Sequence, residues 1–276
     1  MIRADLHVHT YFSDGLLSPA EVMRTAKSNG VELISVTDHD TALGAEEASK
    51  AAEEYGVKFV NGIEVSAYKN GVKLHTLGYN LNLHASVFKD FTEELFKGSV
   101  KRAEDIICKL NKNGVFITMD EVLNERKCNK SPVHSMFIAR AATKKGYAKT
   151  PFNFYSEYLS AGKCAYSEIG RPSPEKAVEV IKLSGGISSL AHPARIEMED
   201  KELLSLIKEL KACGLDGIEA EYSAHTAVKT AYFKEIARQN SLLVTGGSDT
   251  HFKGGNRKIG TPAFFADKIL ADKLLT

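Results

Sequence analysis

The segment Asp5-Leu-His-Val-His9 places two imidazoles near the start of the chain at a spacing that suits metal binding. It closes a short apolar run over residues 2–6 that is typical of a β-strand. Alternate side chains of a strand share a face, so His7 and His9 are expected to point the same way. Two imidazoles one strand repeat apart can hold one metal ion together, which makes this segment the first candidate for a metal site.

Histidine and acidic residues recur at or near the ends of later apolar runs. The predicted strands cover 33–36, 58–63, 72–79, 187–190 and 242–245, and the polar residues within or after them are His39, Glu64, His75, His192, Asp249 and His251. In β/α folds, functional sites gather at the carboxyl ends of the strands. A lone histidine is more often structural than a ligand, but about six or seven of the nine histidines fall at or near strand ends. This alignment predicts one shared metal centre.

The elements that position these residues follow an α/β pattern. Strands alternating with helices predict a mostly parallel sheet, open or closed. Ser18 and Glu21 are typical of a helix start, because they can form a capping box around Pro19. Residues 86–162 differ, since their apolar residues repeat with helical periodicity. We therefore expect a β/α domain formed by residues 1–85 and 163–276, interrupted by a helical insertion over residues 86–162.

The composition excludes several classes of partner. The formal net charge of +1 gives no global basic field, so we expect no long nucleic acid, whereas a small anionic ligand is allowed. No apolar run approaches the roughly 20 residues that a membrane helix needs. The four cysteines are widely spaced, without a CxxC pair, and the first residues do not resemble a targeting segment, which favours the cytoplasm. The sequence leaves the oligomeric state open.

The donor types indicate which metals and which chemistry to expect. Several neutral imidazoles combined with Asp and Glu suit Zn, Mn or Fe(II). Carboxylates such as Glu64 and Asp249 can bridge two ions, which together activate water and hold a phosphoryl oxygen. The residues therefore favour hydrolysis of a phosphate ester without a covalent intermediate.

Six motifs occur in order along nearly the whole chain. They are Asp5-Leu-His-Val-His9-Thr10, Thr37-Asp-His39-Asp40, Gly62-Ile-Glu64, Leu74-His-Thr-Leu-Gly-Tyr79, Ala191-His192-Pro193 and Gly247-Ser-Asp249-Thr-His251. Together they resemble the PHP (polymerase and histidinol phosphatase) family. Residues 242–251 resemble its stand-alone branch, which includes nucleoside 3′,5′-bisphosphate phosphatases and 5′-to-3′ exonucleases of short RNA. The resemblance implies a distorted (β/α)7-type barrel, a small helical insertion and two or three divalent metal ions (Mn, Zn or Fe).

The resemblance also implies three groups of metal ligands. The first ion would take His7, His9, Glu64 and Asp249, the second Glu64, His75 and a histidine of the insertion, and the third Asp14, His39 and His251, with Asp249 nearby. By itself, Asp14 is typical of a turn residue. Its role as a ligand therefore depends on the resemblance.

The insertion departs from the family pattern at Phe137. The phosphoesterases carry a His-hydrophobic-Ala-Arg phrase here, whereas this chain has Phe137-Ile-Ala-Arg140. Phenylalanine cannot ligate a metal. His134, one helical turn earlier on the same face, is the expected replacement. If His134 does not reach the site, the second ion is weak, absent or completed by water.

Three residues are expected to bind the substrate phosphate, namely His192, Arg195 and Arg140. His192 precedes a proline, which favours an extended backbone, and we expect it to protonate the leaving oxygen. His192 and Asp249 are the predicted catalytic residues. The structural alternatives are a solvated loop position for Arg195 and a salt bridge within the insertion for Arg140.

Five further polar residues are expected outside the ligand set. Asp5, Asp38 and Asp40 are expected to accept hydrogen bonds from ligand imidazoles and so to fix their tautomers. His225 is expected to cap a helix or to be exposed, and His84 is expected to lie on the surface.

The favoured function is a metal-dependent phosphoesterase that acts on a small phosphomonoester, such as a nucleoside 3′,5′-bisphosphate. Within the same enzyme class, the alternatives are a 5′-to-3′ exonuclease of short RNA and a phosphatase of histidinol phosphate or phosphotyrosine. An alternative of another class is a metal- or nucleotide-binding scaffold without turnover, which only Phe137 supports. Fold-level resemblance does not fix the substrate, so these alternatives stay open.

Overall fold

The computed structural model describes residues 1–254 and 257–276, and over these residues it contains eight strands and ten α-helices. The strands are β1 Ile2–Val8, β2 Leu33–Val36, β3 Lys58–Lys69, β4 Val72–Tyr79, β5 Ile187–Leu190, β6 Gly217–Tyr222, β7 Leu243–Gly247 and β8 Phe264–Ala266. The helices are α1 Pro19–Ser28, α2 Ala45–Tyr55, α3 Ser86–Lys112, α4 Met119–Leu123, α5 Ser135–Lys144, α6 Pro151–Phe154, α7 Pro174–Leu183, α8 Asp200–Cys213, α9 Ala227–Gln239 and α10 Lys268–Leu275. A π-helical turn (Tyr155–Leu159) follows α6, and a 3₁₀ turn (Pro193–Arg195) follows β5.

The strands form one sheet in the order β7-β6-β5-β4-β3-β2-β1-β8. The β1–β2–β3 pairs and the β5–β6–β7 pairs are parallel, whereas β4 runs antiparallel to both of its neighbours. Helices follow most of the parallel strands, as the sequence pattern predicts, and the predicted capping box of Ser18 and Glu21 starts α1. Among the helices in the described part of the chain, none is long and apolar enough to cross a membrane.

The sheet curls until β7 meets β1. The Asp249 backbone N–H donates to the carbonyl of His7 at 2.7 Å, and the His9 N–H donates to the carbonyl of Thr250 at 2.9 Å. Gly247 makes this approach possible, because a Cβ at that position would lie only 2.4 Å from the Cβ of His7. Strands β1 to β7 therefore form the expected distorted barrel. β8 pairs with the N-terminal half of β1.

The strand predicted over 58–63 was too short. β3 continues to Lys69 and turns at Asn70 and Gly71, both with positive φ, into its antiparallel partner β4. Glu64 therefore lies within a strand rather than after one. It still reaches the barrel mouth, because the parallel neighbour β2 ends before it, and on that side Glu64 is paired through an isolated bridge with His39.

The insertion has a hydrophobic core of its own. The second half of α3 packs with α4, α5 and the π-helical turn around Ile106, Leu110, Phe137 and Phe154. The first half of α3 packs on the barrel, where Phe88, Phe91 and Leu95 contact residues of β3 and α7. Because α3 contacts both bodies, it attaches the insertion firmly beside the barrel mouth. The domain boundaries at 86 and 162 stay predictions.

Candidate metal centre

The nine predicted metal ligands lie together at the barrel mouth. His7 lies on β1, His9 and Asp14 follow it, His39 follows β2, Glu64 lies on β3, His75 lies on β4, His134 precedes α5, and Asp249 and His251 follow β7. All except His251, His75 and His134 are buried, and those three are half-buried. Residues separated by more than 200 positions therefore share one site.

The group expected for the first ion is compact. His7, His9, Glu64 and Asp249 each offer an atom within 4.8 Å of the others. Glu64 Oε2 lies 3.2 Å from Nε2 of both His7 and His9. Asp249 Oδ1 lies 3.2 Å from His9 Nε2 and 3.6 Å from His7 Nε2. The four donors surround a single point.

Two further groups share residues with the first. His39, Glu64 and His75 form one, with 3.1 Å from His39 Nδ1 to Glu64 Oε2 and 2.8 Å from His75 Nδ1 to Glu64 Oε1. The other consists of His9, Asp14, His39 and His251. Each Glu64 oxygen thus faces a different set of imidazoles, which is the arrangement of a carboxylate that bridges two ions.

The donor atoms fit divalent cations better than they fit one another. Glu64 Oε2 and His39 Nδ1 are buried at a short separation, yet neither has a hydrogen-bond partner among the described residues, and the same holds for His75 Nε2 and Asp14 Oδ1. Two ligand atoms about 2.1 Å from one ion stand roughly 3.0–3.4 Å apart, and most of the separations here fall in that range. Buried polar atoms without partners are costly, so a cation is the natural partner for this set.

Electrostatics lead to the same conclusion. Burial alone would raise the pKa of Glu64, Asp14 and Asp249, but the surrounding imidazoles outweigh burial and hold each pKa well below its ordinary value. Burial lowers the pKa of His75 to about 3, so its imidazole is neutral and can donate a lone pair. For His9, burial opposes the charged form, but hydrogen bonds to the nearby carboxylates raise its pKa to about 10. Acids that stay charged beside an imidazole that attracts a proton indicate a deficit of positive charge, which a divalent cation would fill.

His134 precedes the first residue of α5, whereas Phe137 lies within the first turn of the helix. His134 is the N-cap residue rather than a helical one, and its Nδ1 lies 3.2 Å from Asp14 Oδ2. Its ring stacks on His39 with centroids 4.9 Å apart. The structure therefore places His134 beside Asp14 and His39, not in the group of Glu64 and His75. Phe137 is buried in the insertion core.

The second carboxylate oxygen of Asp249 faces away from the imidazoles. Its Oδ2 accepts a hydrogen bond from the Tyr222 hydroxyl at 2.7 Å and from Arg195 at 3.4 Å, and it also pairs with Arg257. Asp249 thus connects the imidazole cluster to two guanidinium groups at the cleft. Tyr222 and Arg257 were missed from the sequence, because neither belongs to a ligand motif.

Glu219 is a third residue that the sequence motifs do not indicate. This carboxylate of β6 is fully buried, and its Oε1 lies 2.9 Å from His7 Nδ1. Its Oε2 accepts the backbone N–H of His192 at 2.7 Å. Glu219 therefore turns His7 Nε2 toward the cluster, as an outer carboxylate does for a metal-binding histidine. The available signal was an acidic residue in an otherwise apolar strand.

The tautomer role expected for Asp5, Asp38 and Asp40 was wrong. Asp5 accepts the backbone N–H groups of Ser248 and Gly260, and Asp38 accepts from the hydroxyls and an amide of the loop at 10–13. Asp40 accepts the Ser66 N–H at 2.7 Å. These acids position the backbone of the ligand loops, whereas Glu219 orients an imidazole.

His192 does not have the extended backbone that its proline neighbour predicted. Its φ is +27°, and Asp249 and Asp40 also have positive φ. Such strain in non-glycine residues concentrates at functional sites. His192 Nε2 lies 3.0 Å from Glu64 Oε1, so the imidazole borders the predicted ligands.

Arg140, His225 and His84 complete the predicted set. Arg140 donates to the backbone carbonyl of Asp14 at 2.5 Å and lies over the Phe137 ring. His84 is exposed, as expected. The expectation for His225 was wrong, because it is half-buried against Tyr222, while Thr226 caps α9.

A cleft of about 620 Å³ opens over the cluster. Its floor contains Glu64, His39, His75 and other ligands, its walls contain Lys73, Arg140, Arg195 and Arg257, and its insertion side contains Met136, Phe152 and Tyr155. This volume lies in the range of roughly 300–1,000 Å³ found for sites that enclose one small ligand. The cleft joins metal donors, cations and aromatic surface in one place.

Comparison with known proteins identifies relatives along the whole chain. The model of the PHP domain matches residues 5–225. A 5′-3′ exoribonuclease of Haemophilus influenzae is 30% identical over 97% of both chains. A 3′,5′-nucleoside bisphosphate phosphatase of Chromobacterium violaceum is 31% identical over 94% of this chain and 91% of its own. A phosphoribosyl 1,2-cyclic phosphate 1,2-diphosphodiesterase of Eggerthella lenta is 30% identical over 91% of this chain and 95% of its own.

Solved structures agree with these matches. An amidohydrolase from Chromobacterium violaceum, with bound sulfate and no metal, superposes with a TM-score of 0.87 at 28% identity over 97% of this chain and 93% of its own. A protein from Bifidobacterium adolescentis, assigned by prediction as a metal-dependent phosphoesterase, gives a TM-score of 0.87 at 27% identity over 99% of this chain and 95% of its own. The barrel and the insertion are thus both present in relatives of known structure.

Proposed function

This chain belongs to the PHP domain family and is a metal-dependent phosphoric ester hydrolase, and from that premise we propose that its substrate is a nucleoside 3′,5′-bisphosphate. The observation that carries this proposal is the cleft, which places metal donors, guanidinium groups and aromatic rings around a space sized for one nucleotide. The relative from Chromobacterium violaceum, named for this reaction, supports it.

We assign the ions to the three ligand groups at the barrel mouth. His7, His9, Glu64 and Asp249 would hold one, His39, Glu64 and His75 a second, and His9, Asp14, His39 and His251 a third. Two or three ions of Mn, Zn or Fe suit these nitrogen and oxygen donors. When bound, such ions supply Lewis acidity toward a phosphoryl oxygen and lower the pKa of water.

Two arginines are assigned to the phosphate that is cleaved. Arg195 and Arg257 both contact Asp249 Oδ2, so their guanidinium groups stand at the edge of the ligand cluster. A guanidinium binds phosphate through paired hydrogen bonds and stabilises charge that grows on its oxygens during reaction. Asp249 positions both groups while its other oxygen faces the imidazoles.

His192 is assigned to protonate the leaving oxygen. Its imidazole lines the cleft with Nε2 at the edge of the ligand cluster, and Glu219 fixes its backbone. A protonated imidazole placed beside the leaving group can release a proton to its oxygen as the bond to phosphorus breaks. Replacing His192 by Ala should therefore slow substrates with poor leaving groups more than p-nitrophenyl esters, whose leaving oxygen needs no proton.

The insertion is assigned to the base. Phe152 and Tyr155 border the cleft opposite the ligands, and Phe152 is 71% exposed. An exposed aromatic ring at the lip can stack on a nucleobase of any sequence. The insertion would thus select nucleotides over simple phosphate esters.

A substrate panel tests the proposal. Protein loaded with Mn²⁺ is assayed for phosphate release from adenosine 3′,5′-bisphosphate, AMP, histidinol phosphate and phosphotyrosine. We expect the highest kcat/KM for the bisphosphate. A higher value for histidinol phosphate or phosphotyrosine would contradict the proposed substrate while leaving the phosphoesterase class intact.

Short RNA is the second candidate substrate. It is favoured by the Haemophilus influenzae relative, which is named a 5′-3′ exoribonuclease and matches over 97% of both chains. A half-open cleft beside the exposed ring of Phe152 would admit the 5′ end of a strand. A 5′-phosphorylated trinucleotide that is degraded with higher kcat/KM than the bisphosphate would establish this alternative. The scaffold hypothesis has no support among these relatives, which are named as enzymes.

A further inference from the structure

Lys73 puts a positive charge into the cleft wall without a salt-bridge partner among the described residues. It lies on β4 two residues before His75, and both residues line the cleft. At the start of the same hairpin turn, Lys69 is paired with Glu175 and Glu209. Over residues 1–254 and 257–276, in contrast, no carboxylate oxygen lies within the 4.0 Å of a salt bridge to Lys73.

The carboxylates beside Arg102 and Arg171 are already engaged by these two arginines. Asp40 accepts the Ser66 N–H and lies 3.9 Å from Arg102 Nη2, and Glu168 is paired with the buried Arg171. Both arginines lie within electrostatic reach of Lys73. The two arginines thus engage Asp40 and Glu168. Glu64, a carboxylate within electrostatic reach of Lys73, faces the imidazole cluster.

The other cations of the cleft are held by groups of the protein. Arg195 and Arg257 contact Asp249, and Arg140 donates to the carbonyl of Asp14. Lys73 differs from them, because no hydrogen bond or salt bridge joins its ammonium group to the described residues. Tyr155 and Glu64 lie within its electrostatic reach, but Glu64 is engaged by the imidazoles of the cluster. A half-buried ammonium without a partner is costly unless a ligand supplies the negative charge.

The spacing on β4 indicates which part of a ligand would meet Lys73. Residues two apart on a strand lie about 7 Å from each other on the same face. If a phosphate binds at the ligands around His75, Lys73 would therefore lie about the length of one ribose ring from that phosphate along the cleft wall. Tyr155, opposite, would flank that sugar or its base.

We propose that Lys73 binds the phosphate that is not cleaved, and so makes the enzyme selective for nucleotides that carry two phosphate groups. This inference rests on the proposed function and adds the residue that distinguishes a bisphosphate from a monophosphate. The phosphate at Lys73 could be terminal, as in a nucleoside bisphosphate, or internal, as in a dinucleotide. We assign the terminal one, because the described cleft is sized for one nucleotide.

The test compares Lys73→Met with Lys73→Arg and with Lys69→Met, which removes the same charge from the same hairpin but outside the cleft. Steady-state kinetics are measured on Mn²⁺-loaded protein with adenosine 3′,5′-bisphosphate, AMP and a 5′-phosphorylated dinucleotide. For Lys73→Met we expect KM for the bisphosphate to rise about ten- to a hundredfold, as for loss of a charged hydrogen bond, with little change in kcat. For AMP, KM and kcat should change by less than about threefold. Lys73→Arg should restore most of the affinity for the bisphosphate.

Equal losses on the bisphosphate and AMP, or no loss on either, would overturn the proposal, and a loss confined to the dinucleotide would overturn the assignment of a terminal phosphate. Titration calorimetry of adenosine 3′,5′-bisphosphate keeps the test independent of turnover. If the wild-type protein hydrolyses no nucleotide, the proposed function fails. The Lys73 site stands in that case only if Lys73→Met still weakens binding of the bisphosphate relative to Lys69→Met.

Discussion

The barrel mouth and the helical insertion face each other across the cleft, but they are built in different ways. At the mouth, buried polar side chains come from several strands, and Glu219, Asp5 and Asp38 fix the ligands or their loops through buried hydrogen bonds. The insertion packs around an apolar core of its own and lines one side of the cleft with residues that include His134, Met136 and Phe152. The difference indicates that the chemistry depends on the barrel, while the insertion shapes what the site accepts.

The largest effect should follow from breaking the barrel side at Asp249. Asp249→Asn removes a charge that contacts His9 through Oδ1 and Arg195 and Arg257 through Oδ2. We expect kcat/KM for phosphate release to fall by more than about 100-fold, which is the largest loss typical of a residue that only supports a metal ligand through a hydrogen bond. Glu235→Gln, an exposed surface change, is the matched control. A kcat/KM within a few-fold of the wild-type value would show that Asp249 does not take part in the reaction.

The pair His134 and Phe137 sharpens the contrast within one helix. Phe137→Ala should lower the free energy of unfolding by about 3–5 kcal/mol, because it opens a cavity in the insertion core, and it should leave the metal content of the folded protein unchanged. His134→Gln should do the reverse: the ion assigned to Asp14 and His39 should bind more weakly, whereas the free energy of unfolding should fall only by the roughly 1 kcal/mol of a lost helix cap. Denaturant unfolding and elemental analysis measure the two properties. Loss of metal in Phe137→Ala alone would reverse the assignment.

Glu219 tests whether orientation matters as much as ligation. Glu219→Gln keeps the shape but weakens the hold on His7 Nδ1, so metal affinity or kcat/KM should fall about 10- to 100-fold. Glu221→Gln is the control, because Glu221 is two residues along the same strand and pairs with Lys234 instead. Calorimetric titration with Mn²⁺ measures the metal affinity, and steady-state kinetics at saturating Mn²⁺ measure the rate. Identical behaviour of the two variants would contradict a role for Glu219 in orienting His7.

The smallest expected effect is on the insertion side. Phe152→Ala should raise KM for nucleotides about five- to tenfold, the lower part of the 1–3 kcal/mol found for base stacking, without changing kcat for p-nitrophenyl phosphate. Phe116→Ala is the control, since Phe116 is 63% exposed on the same insertion but does not line the cleft. If both variants behave like the wild type in nucleotide kinetics, the insertion does not bind the base.

The local pattern of the sequence predicted the alternating strands and helices and most of the residues that the structure brings together at the barrel mouth, whereas the closed barrel and the role of Asp14 came from the family resemblance. His7 and His9 share a strand face, and Asp249 and His251 follow an apolar run, so position along the strand sufficed. Glu219 could not be assigned in this way, because its partner His7 lies 212 residues earlier in the chain and meets it only across the closed barrel.

The errors arose where the local pattern and the tertiary structure disagree. Glu64 was expected after a strand, but β3 continues past the barrel mouth to pair with β4. Asp5, Asp38 and Asp40 adjoin histidines in sequence, yet their carboxylates satisfy backbone amides and hydroxyls instead. The position of His134 depends on how α3 attaches the insertion to the barrel, which no residue of the motif encodes.

The central claim, that distant imidazoles and carboxylates form one cluster for divalent cations, is tested most directly by anomalous scattering from crystals of Mn²⁺-loaded protein, with elemental analysis of the same preparation. We predict two or three ions at the barrel mouth, each about 2.0–2.3 Å from its donors, with Glu64 contacting more than one of them. A single ion elsewhere, or none within reach of His7, Glu64 and Asp249, would contradict the account.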